Sequence, residues 1–500
     1  MTQTSHWPKL NGQPLQVIEL PYKDTHLERD NAIGRFIHQL NDHCLWLSSC
    51  WPHFKEDADR DIIAGGFTHW LIAPSDKPDT HLLQTIENGQ PQTLQETQGL
   101  PQEWMLEQLY SDLPKDNANK DTHRIALPGW YGGLSYPYAD HLTGLKTPTQ
   151  RSTWPDAMLG YASWVITLDH LNKTATLVTQ LSTNTNSKDT HLNLKKAWVS
   201  NLESPNLENQ APLPTIDLKP WESLTSEKEY MQSFHCIQDH LNAGDTYQVN
   251  FTQCFEAPYT GHPLSVFLQL KQQSPSPYAA YWYTPYGEVS SQSPELLLKI
   301  QDKNQQGQPS YNAITKPIKG TTPRGATPEE DQQAAKELAA SDKNRAENSM
   351  IVDLLRNDLS KSAIPGSMKV NKLCAIETFA HIHHLVSEIQ VDVQQDRSPM
   401  QVLLDCFPGG SITGAPKRRA MEIIDNLEKT PRDSYCGTIG FWDHPQRAVF
   451  NITIRTFQFE KDTVKIWAGG GIVTASTAIS EYEECFHKVQ RLMSGINKKD

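Results

Sequence analysis

The sequence predicts an α+β fold built on antiparallel sheets. Two observations carry this expectation. Strand-like and helix-like segments are intermixed without a repeated β-α-β rhythm. The composition, 37% hydrophobic and 21% charged over 500 residues, is that of an ordinary globular chain able to bury a substantial core. Length alone suggests roughly three domains of about 150 residues. The signals nevertheless divide near residue 220, into an irregular region 1–220 and a sharply patterned region 221–497.

In chain order, Tyr161-Ala-Ser-Trp-Val-Ile-Thr-Leu168 and Thr174-Ala-Thr-Leu-Val-Thr179 are rich in β-formers and predict a hairpin around residues 169–173. The polar stretches Gln90 to Gln102 and Thr183 to Pro220 read as loops or poorly ordered connections between short strands. Glu229 to Asn242 reads as a helix stopped by Gly244, and Tyr247-Gln-Val-Asn-Phe-Thr252 as a strand. Thr327-Pro328-Glu329-Glu330 is a helix start, with a cap, a first-turn proline and a capping-box acid. A second helix runs from about Asp342 to Leu359. Asn451-Ile-Thr-Ile-Arg455 alternates like a strand, and Ile479 to Met493 reads as a helix.

The formal net charge is -13, with no long basic run, which argues against nucleic acid or an anionic membrane as partner. No apolar run approaches the ~20 residues needed to cross a bilayer. The eight cysteines are scattered without a C-x-x-C pair, which fits a reduced, cytoplasmic setting.

Several groups could carry chemistry. Glu347 shares a helix face with Met350, Ile351 and Leu354, so its carboxylate needs a partner, either a metal or an arginine such as Arg345 or Arg356. Glu481, Glu484 and Lys488 share another face and suit either Mg²⁺ or a solvated ion pair. Three glycine-rich stretches, Phe407 to Lys417, Cys436 to Gly440 and Ala468 to Val473, match no phosphate-loop pattern. Each is either a set of turns or a place where backbone amides approach an anion. His381, His383 and His384 alternate in a way that argues against a shared metal. Lys319, between Pro317 and Gly320, reads alone as a surface lysine; as a nucleophile it would have to lose its proton through burial or nearby cations.

Taken together, Pro317-Ile-Lys-Gly-Thr321, Asp342-Lys-Asn-Arg-Ala-Glu-Asn348, Asp353-Leu-Leu-Arg-Asn-Asp358, His384-Leu-Val-Ser387, Pro408 to Lys417, Ile452-Thr-Ile-Arg-Thr456 and Gly469-Gly-Gly-Ile-Val473 stand in the order seen in chorismate-utilising enzymes. The chain resembles that family, densely over 221–495, and within it the aminodeoxychorismate synthase component I branch. The resemblance implies two large antiparallel sheets packed as a sandwich with helices outside. It implies chorismate as substrate, with Glu347 and Glu484 holding Mg²⁺ and Glu481 near it. Arg455, Gly469, Gly470, Gly471, Lys488, Thr438 and Gln248 would bind substrate. Lys319 would act as covalent nucleophile, Glu295 as proton donor at the 4-hydroxyl, and His384 would sit near the ring.

Anthranilate synthases of the family usually carry alanine where Lys319 stands. Isochorismate and salicylate synthases carry a water-activating lysine where this chain has Gln248, which cannot act as a base. No cysteine has the setting of a glutaminase nucleophile, so ammonia would come from a separate amidotransferase subunit or from free ammonium salts, with a separate lyase acting downstream. The alternatives are anthranilate synthase component I or a catalytically inactive regulatory subunit. The resemblance is weakest before 221: Gly132-Gly-Leu-Ser-Tyr-Pro-Tyr138 departs from the family pattern. An effector pocket would use Ser49, Pro277, Tyr278 and Ala279, but the segment 57–60 lacks the family's aromatics, which argues against a bound tryptophan.

Overall fold

The computed structural model describes residues 15–54, 59–77, 80–87, 90–98, 124–145, 152–180, 187–203, 212–303, 310–379, 382–445 and 447–496. Its strand pairings are all antiparallel. With helices interspersed between strands, this is the expected α+β class.

Strand Gln248–Gly261 is the spine, paired with Thr463–Ile472 from Val249 to Pro258. Strands from both sides of residue 220 share hydrogen bonds. Cys44–Ser48 pairs with Tyr278–Thr284, and Gly129–Leu134 pairs with Thr438–His444. The largest apolar cluster lies beneath the C-terminal strands and helices, while two smaller ones centre on Trp46, Trp164 and Trp198 and on Trp70, Trp282 and Phe441. Continuous packing across residue 220 holds the C-terminal elements rigidly enough to aim side chains.

The helix signals were sound because local capping agrees with tertiary packing. Helix Pro328–Ala340 begins on Thr327, whose side chain accepts from the Glu330 amide while Glu330 returns to the Thr327 amide. Helix Asp342–Ser360 starts on a Ser341 cap, and helix Glu227–Asn242 has a complete Ser226–Glu229 capping box. The hairpin is also present, with Asp169 opposite Thr174.

Three expectations need correction. Gln90–Gln98 is a strand paired with Thr80–Glu87, where a loop was expected. Ser187–Glu203 is a helix: Leu194, Trp198 and Leu202 recur at i, i+4 and i+8 and bury one stripe, with the Trp198 ring 5.2 Å from Phe36 and its indole donating to Pro21 O at 3.0 Å. Finally, residues 452–455 are not a strand. Strand Arg447–Asn451 ends before them and Thr456–Glu460 begins after them. The Thr453 amide donates to Gly437 O, its carbonyl accepts from the Cys436 amide, and its hydroxyl donates to Ser434 O, so the segment docks on a loop instead of a ladder.

His381 and residues 55–58, 99–102, 183–186 and 204–211 lie outside the described residues. No described helix is long and apolar enough to cross a membrane. All eight cysteines are free thiols.

Candidate active site

A cleft of about 400 Å³ opens between the central strands, helix Asp342–Ser360 and the C-terminal helix Ala478–Gly495. Lys319, Glu295, His384, Arg455, Gly469 to Gly471, Lys488, Glu347, Glu481 and Glu484 all line it.

Lys319 is aimed by a register break. Strand Ile318–Pro323 pairs with Ile382–Asp392, with Ile318 opposite Val386 but Thr321 opposite His384. The bulge at residues 319–320 turns the lysine off the ladder. Gly320 has φ +90° and its missing Cβ would lie 2.9 Å from Asn344 Cγ, so both conformation and space require glycine. Lys319 Nζ then sits 3.4 Å from Glu347 Oε2, while Lys343 Nζ is 4.0 Å from Glu347 Oε1. Neither Arg345 nor Arg356 takes Glu347; Arg356 pairs with Asp353 at 2.8 Å.

On the opposite wall, a Cβ at Gly470 would come within 3.0 Å of Glu481 Oε2 and 3.6 Å of Glu484 Oε1. A hydrogen side chain therefore lets two carboxylates of the C-terminal helix close on the strand. Ser476 Oγ donates to Glu481 at 2.6 Å, and burial raises the Glu481 pKa. Glu484 is also pushed up by burial, but Lys488 at 2.6 Å and Lys319 outweigh this and hold it below the ordinary carboxylate value. Lys488 also donates to Gly469 O at 2.8 Å.

Glu295, in the turn after strand Gly287–Ser293, is buried, and that burial pushes its carboxyl up to about 7 against the pull of nearby Ser411, the Ile318 amide, Lys319 and Arg455. His384 is buried against Phe379 (ring centroids 5.1 Å apart); burial, then the charge of Arg455, pushes its imidazole down to about 3 and keeps it neutral. Arg455 occupies the left-handed region at φ +53°, so it stands on the loop that follows a strand, not on a strand. Its guanidinium makes no hydrogen bond within the described residues, although burial and Arg491 both disfavour its charge.

Four buried side-chain atoms of cleft residues also lack partners: Glu295 Oε1, His384 Nδ1, Ser411 Oγ and Trp467 Nε1. Buried polar atoms are costly when unsatisfied, and their concentration in one cleft marks it for a polar ligand. Ser411, Trp467 and Tyr435 were not singled out from sequence. Ser411 lay inside a glycine-rich stretch already noted. Trp467 and Tyr435 are stacked, 6.0 Å apart with planes 7° from parallel, a pairing that no local pattern signals.

Some expected residues lie elsewhere. Thr438 is buried, and its hydroxyl is committed to Asn451 O at 2.5 Å; it does not line the cleft. Gln248 lies behind Gly471, where a Cβ would meet its amide carbon at 2.8 Å, and both of its amide atoms are buried without partners. His383 bonds Asp331 and Thr378, each at 2.9 Å, and points away from His384. Ser49, Pro277, Tyr278 and Ala279 line a different cavity of about 110 Å³. There the Ser49 amide and hydroxyl both donate to Asp61 at 2.8 Å, and Asp61 is further held by Trp46, Ser48, His170 and Lys271.

This geometry can be set beside known proteins. Residues 73–494 match the family of chorismate binding enzymes. The chain is 37% identical over 386 residues to aminodeoxychorismate synthase component 1 of Escherichia coli (strain K12), covering 76% of this chain and 80% of that one. It is 34% identical over 363 residues to the protein of the same name in Bacillus subtilis (strain 168), covering 72% and 75%. Anthranilate synthase component 1 3 of Haloarcula marismortui is 32% identical over 400 residues, covering 79% and 78%. In structure it is similar to anthranilate synthase component I from Streptococcus pneumoniae, with a TM-score of 0.69 at 24% identity over 88% of this chain and 93% of that one. The fold, the cleft and the length of the match agree, and the chain belongs to the chorismate binding enzyme family.

Proposed function

We propose that this protein is an aminodeoxychorismate synthase component I, which replaces the 4-hydroxyl of chorismate with an amino group. The observation that carries this reading is Lys319, aimed by its bulge into the same cleft as Glu295 and Arg455. Relatives of this name at 34–37% identity support it.

In this reading Arg455 meets one substrate carboxylate with its fork of donors. Glu295, protonated below about pH 7, gives its proton to the departing 4-hydroxyl, which leaves as water. The Lys319 amine, its ammonium proton passed to water, forms a bond to C2 as the two conjugated ring double bonds shift and the C4–O bond breaks. Ammonia then adds at C4 and returns a proton to Glu295, the two double bonds shift back, and the C2–N bond breaks to release Lys319 as the amine. His384, neutral and buried, keeps water from the ring.

The cleft also suits Mg²⁺. Glu347 and Glu484 offer hard carboxylate oxygens from two helices, with Lys319 Nζ 3.4 Å from the first and Lys488 Nζ 2.6 Å from the second. No described cluster of three His, Cys, Asp or Glu could cage a metal. Two carboxylates, with water and substrate oxygens completing the shell, is how Mg²⁺ is usually held. When bound, the ion would supply positive charge to a substrate carboxylate as the hydroxyl leaves. Ammonia would come from a separate amidotransferase subunit, in keeping with the "component 1" names of the relatives.

The test is product analysis with chorismate, Mg²⁺ and ammonium. The expected product yields 4-aminobenzoate only when a lyase is added. Direct appearance of fluorescent anthranilate would sink this reading in favour of anthranilate synthase. Failure to consume chorismate at high ammonium would favour an inactive subunit.

A further inference from the structure

Asn250 stands on the central strand Gln248–Gly261 and lines the cleft, yet it takes no part in the proposed amination. Its backbone is fastened on both sides. The amide donates to Thr413 O at 2.7 Å, and the carbonyl accepts from Arg432 at 2.6 Å. Arg432 is itself buried, bonds Ile412 O and is held by Glu428, which also accepts from the amide and hydroxyl of Thr252. The strand cannot turn here, so the direction of the Asn250 side chain is fixed. Its partner across the ladder is Gly471, which puts no side chain in the way. Asn250 is 6% exposed, and its carboxamide makes no hydrogen bond among the described residues. By contrast, Asn344 donates to Ser341 at 3.0 Å, and Lys488 serves both Gly469 O and Glu484. We infer that Asn250 is a substrate-contacting residue, donating a side-chain N–H to the carboxylate of chorismate's enolpyruvyl group; this rests on chorismate as substrate, whichever ring position is aminated.

The distribution of charge in the cleft decides which group goes there. Chorismate carries two carboxylates, one on the ring and one on the enolpyruvyl side chain. Helices Asp342–Ser360 and Ala478–Gly495 bring Glu347, Glu481 and Glu484 to the cleft, a wall that takes a carboxylate only through a cation. Strands Gln248–Gly261 and Thr463–Ile472 bring Asn250, Trp467 and the glycines 469 to 471, and no acid. The second carboxylate therefore has the strand wall and Arg455 to meet it. An ionised carboxyl offers about four acceptor sites, and a guanidinium fork fills about two of them. Sites left unfilled away from water keep their desolvation cost, so a further donor is needed. A carboxamide suits this task because it donates without adding charge, in a cleft where burial already disfavours the charge of Arg455. An aspartate of the same shape would repel the carboxylate, and an apolar residue would leave it short of a donor.

The test compares two ligands by calorimetric titration with Mg²⁺ and without ammonium. One is chorismate; the other is the trans-dihydroxycyclohexadiene carboxylate that has the same ring with a hydroxyl in place of the enolpyruvyl ether. In Asn250→Ala the Kd for chorismate should rise about tenfold, and in the isosteric Asn250→Asp about 100-fold. The Kd for the ring acid should stay within about twofold in both variants, so the ratio of the two constants changes. A merely structural role would weaken both ligands together and leave that ratio at its wild-type value, which overturns the assignment even in a variant that melts early. Wild-type chorismate affinity in Asn250→Ala overturns it as well, as does Asn250→Asp binding no more weakly than Asn250→Ala. If the wild-type protein forms anthranilate, the amination reading falls and Asn250 keeps its role. If the wild-type protein binds no chorismate, both fall.

Discussion

The candidate active-site cleft and the smaller cavity around Ser49 are both lined by polar groups, but they spend them differently. In the cleft, Arg455 makes no hydrogen bond within the described residues, and Glu295, His384, Ser411 and Trp467 each present a buried atom without a partner. Around Ser49 the donors converge on one carboxylate: Asp61 accepts from Trp46, Ser48 and Ser49 and lies against His170 and Lys271. The first region keeps unmet bonding capacity for a ligand; the second uses it to hold the fold. Substitutions should therefore cost activity in one region and stability in the other.

The largest effect should come from Lys319→Ala, which removes the proposed nucleophile. Ammonium-dependent chorismate consumption should fall roughly 10³-fold or more, with little change in melting temperature. Wild-type turnover would end the nucleophile role. Asp61→Asn should do the reverse, costing about 3 kcal/mol, because buried Lys271 loses one of its two carboxylate partners, keeping only Asp30 at 3.0 Å, and the acceptors for Ser48, Ser49 and Trp46 are weakened. A urea midpoint measures this, and kcat should be unchanged. Burial pushes the Asp61 carboxyl up, but Lys271 and His170 outweigh it and hold it well below the usual value. Its contribution is therefore present above the ordinary carboxylate range and lost as pH falls through the depressed value, so wild type should lose stability in acid more steeply than Asp61→Asn.

Arg455→Met should weaken kcat/KM for chorismate by about 10- to 100-fold through the lost carboxylate contact, leaving the urea midpoint nearly intact. A subtler change concerns Glu295, whose carboxyl titrates at about 7. If it acts in its protonated form, kcat/KM should decline as pH rises through that value. Glu295→Gln should flatten this alkaline limb while lowering the rate. An unchanged pH profile would remove Glu295 as the acid. The smallest effect should be Ser49→Ala, about 1 kcal/mol of stability for its lost hydrogen bond, with chorismate kinetics untouched.

Much of this could be read from the chain because local signals and tertiary demands agree in the C-terminal part. Thr327 and Glu330 announce a helix start that packing then keeps, and the i, i+3, i+7 spacing of Glu481, Glu484 and Lys488 survives into the cleft. Legibility failed where the two conflict. Residues 452–455 alternate like a strand, yet Thr453 finds its partners at Ser434, Cys436 and Gly437, and Arg455 turns left-handed as a result. Ser187–Glu203 is polar enough to pass for a loop because few apolar residues, among them Leu194, Trp198 and Leu202, anchor it. The relation of Lys319 to Glu347 needs a register break between strands, and nothing in the spacing of single residues encodes it.

That register break has a further consequence. Along a regular strand the direction of a side chain is decided by odd or even count, and the extra residue at 319–320 resets the count. Removing Gly320 would restore unbroken alternation and set Lys319 back on the ladder opposite Leu385, without the bulge that aims it. The lysine's aim is thus written in the length of this stretch as much as in its letters, and a single-codon deletion would be harsher than most point changes.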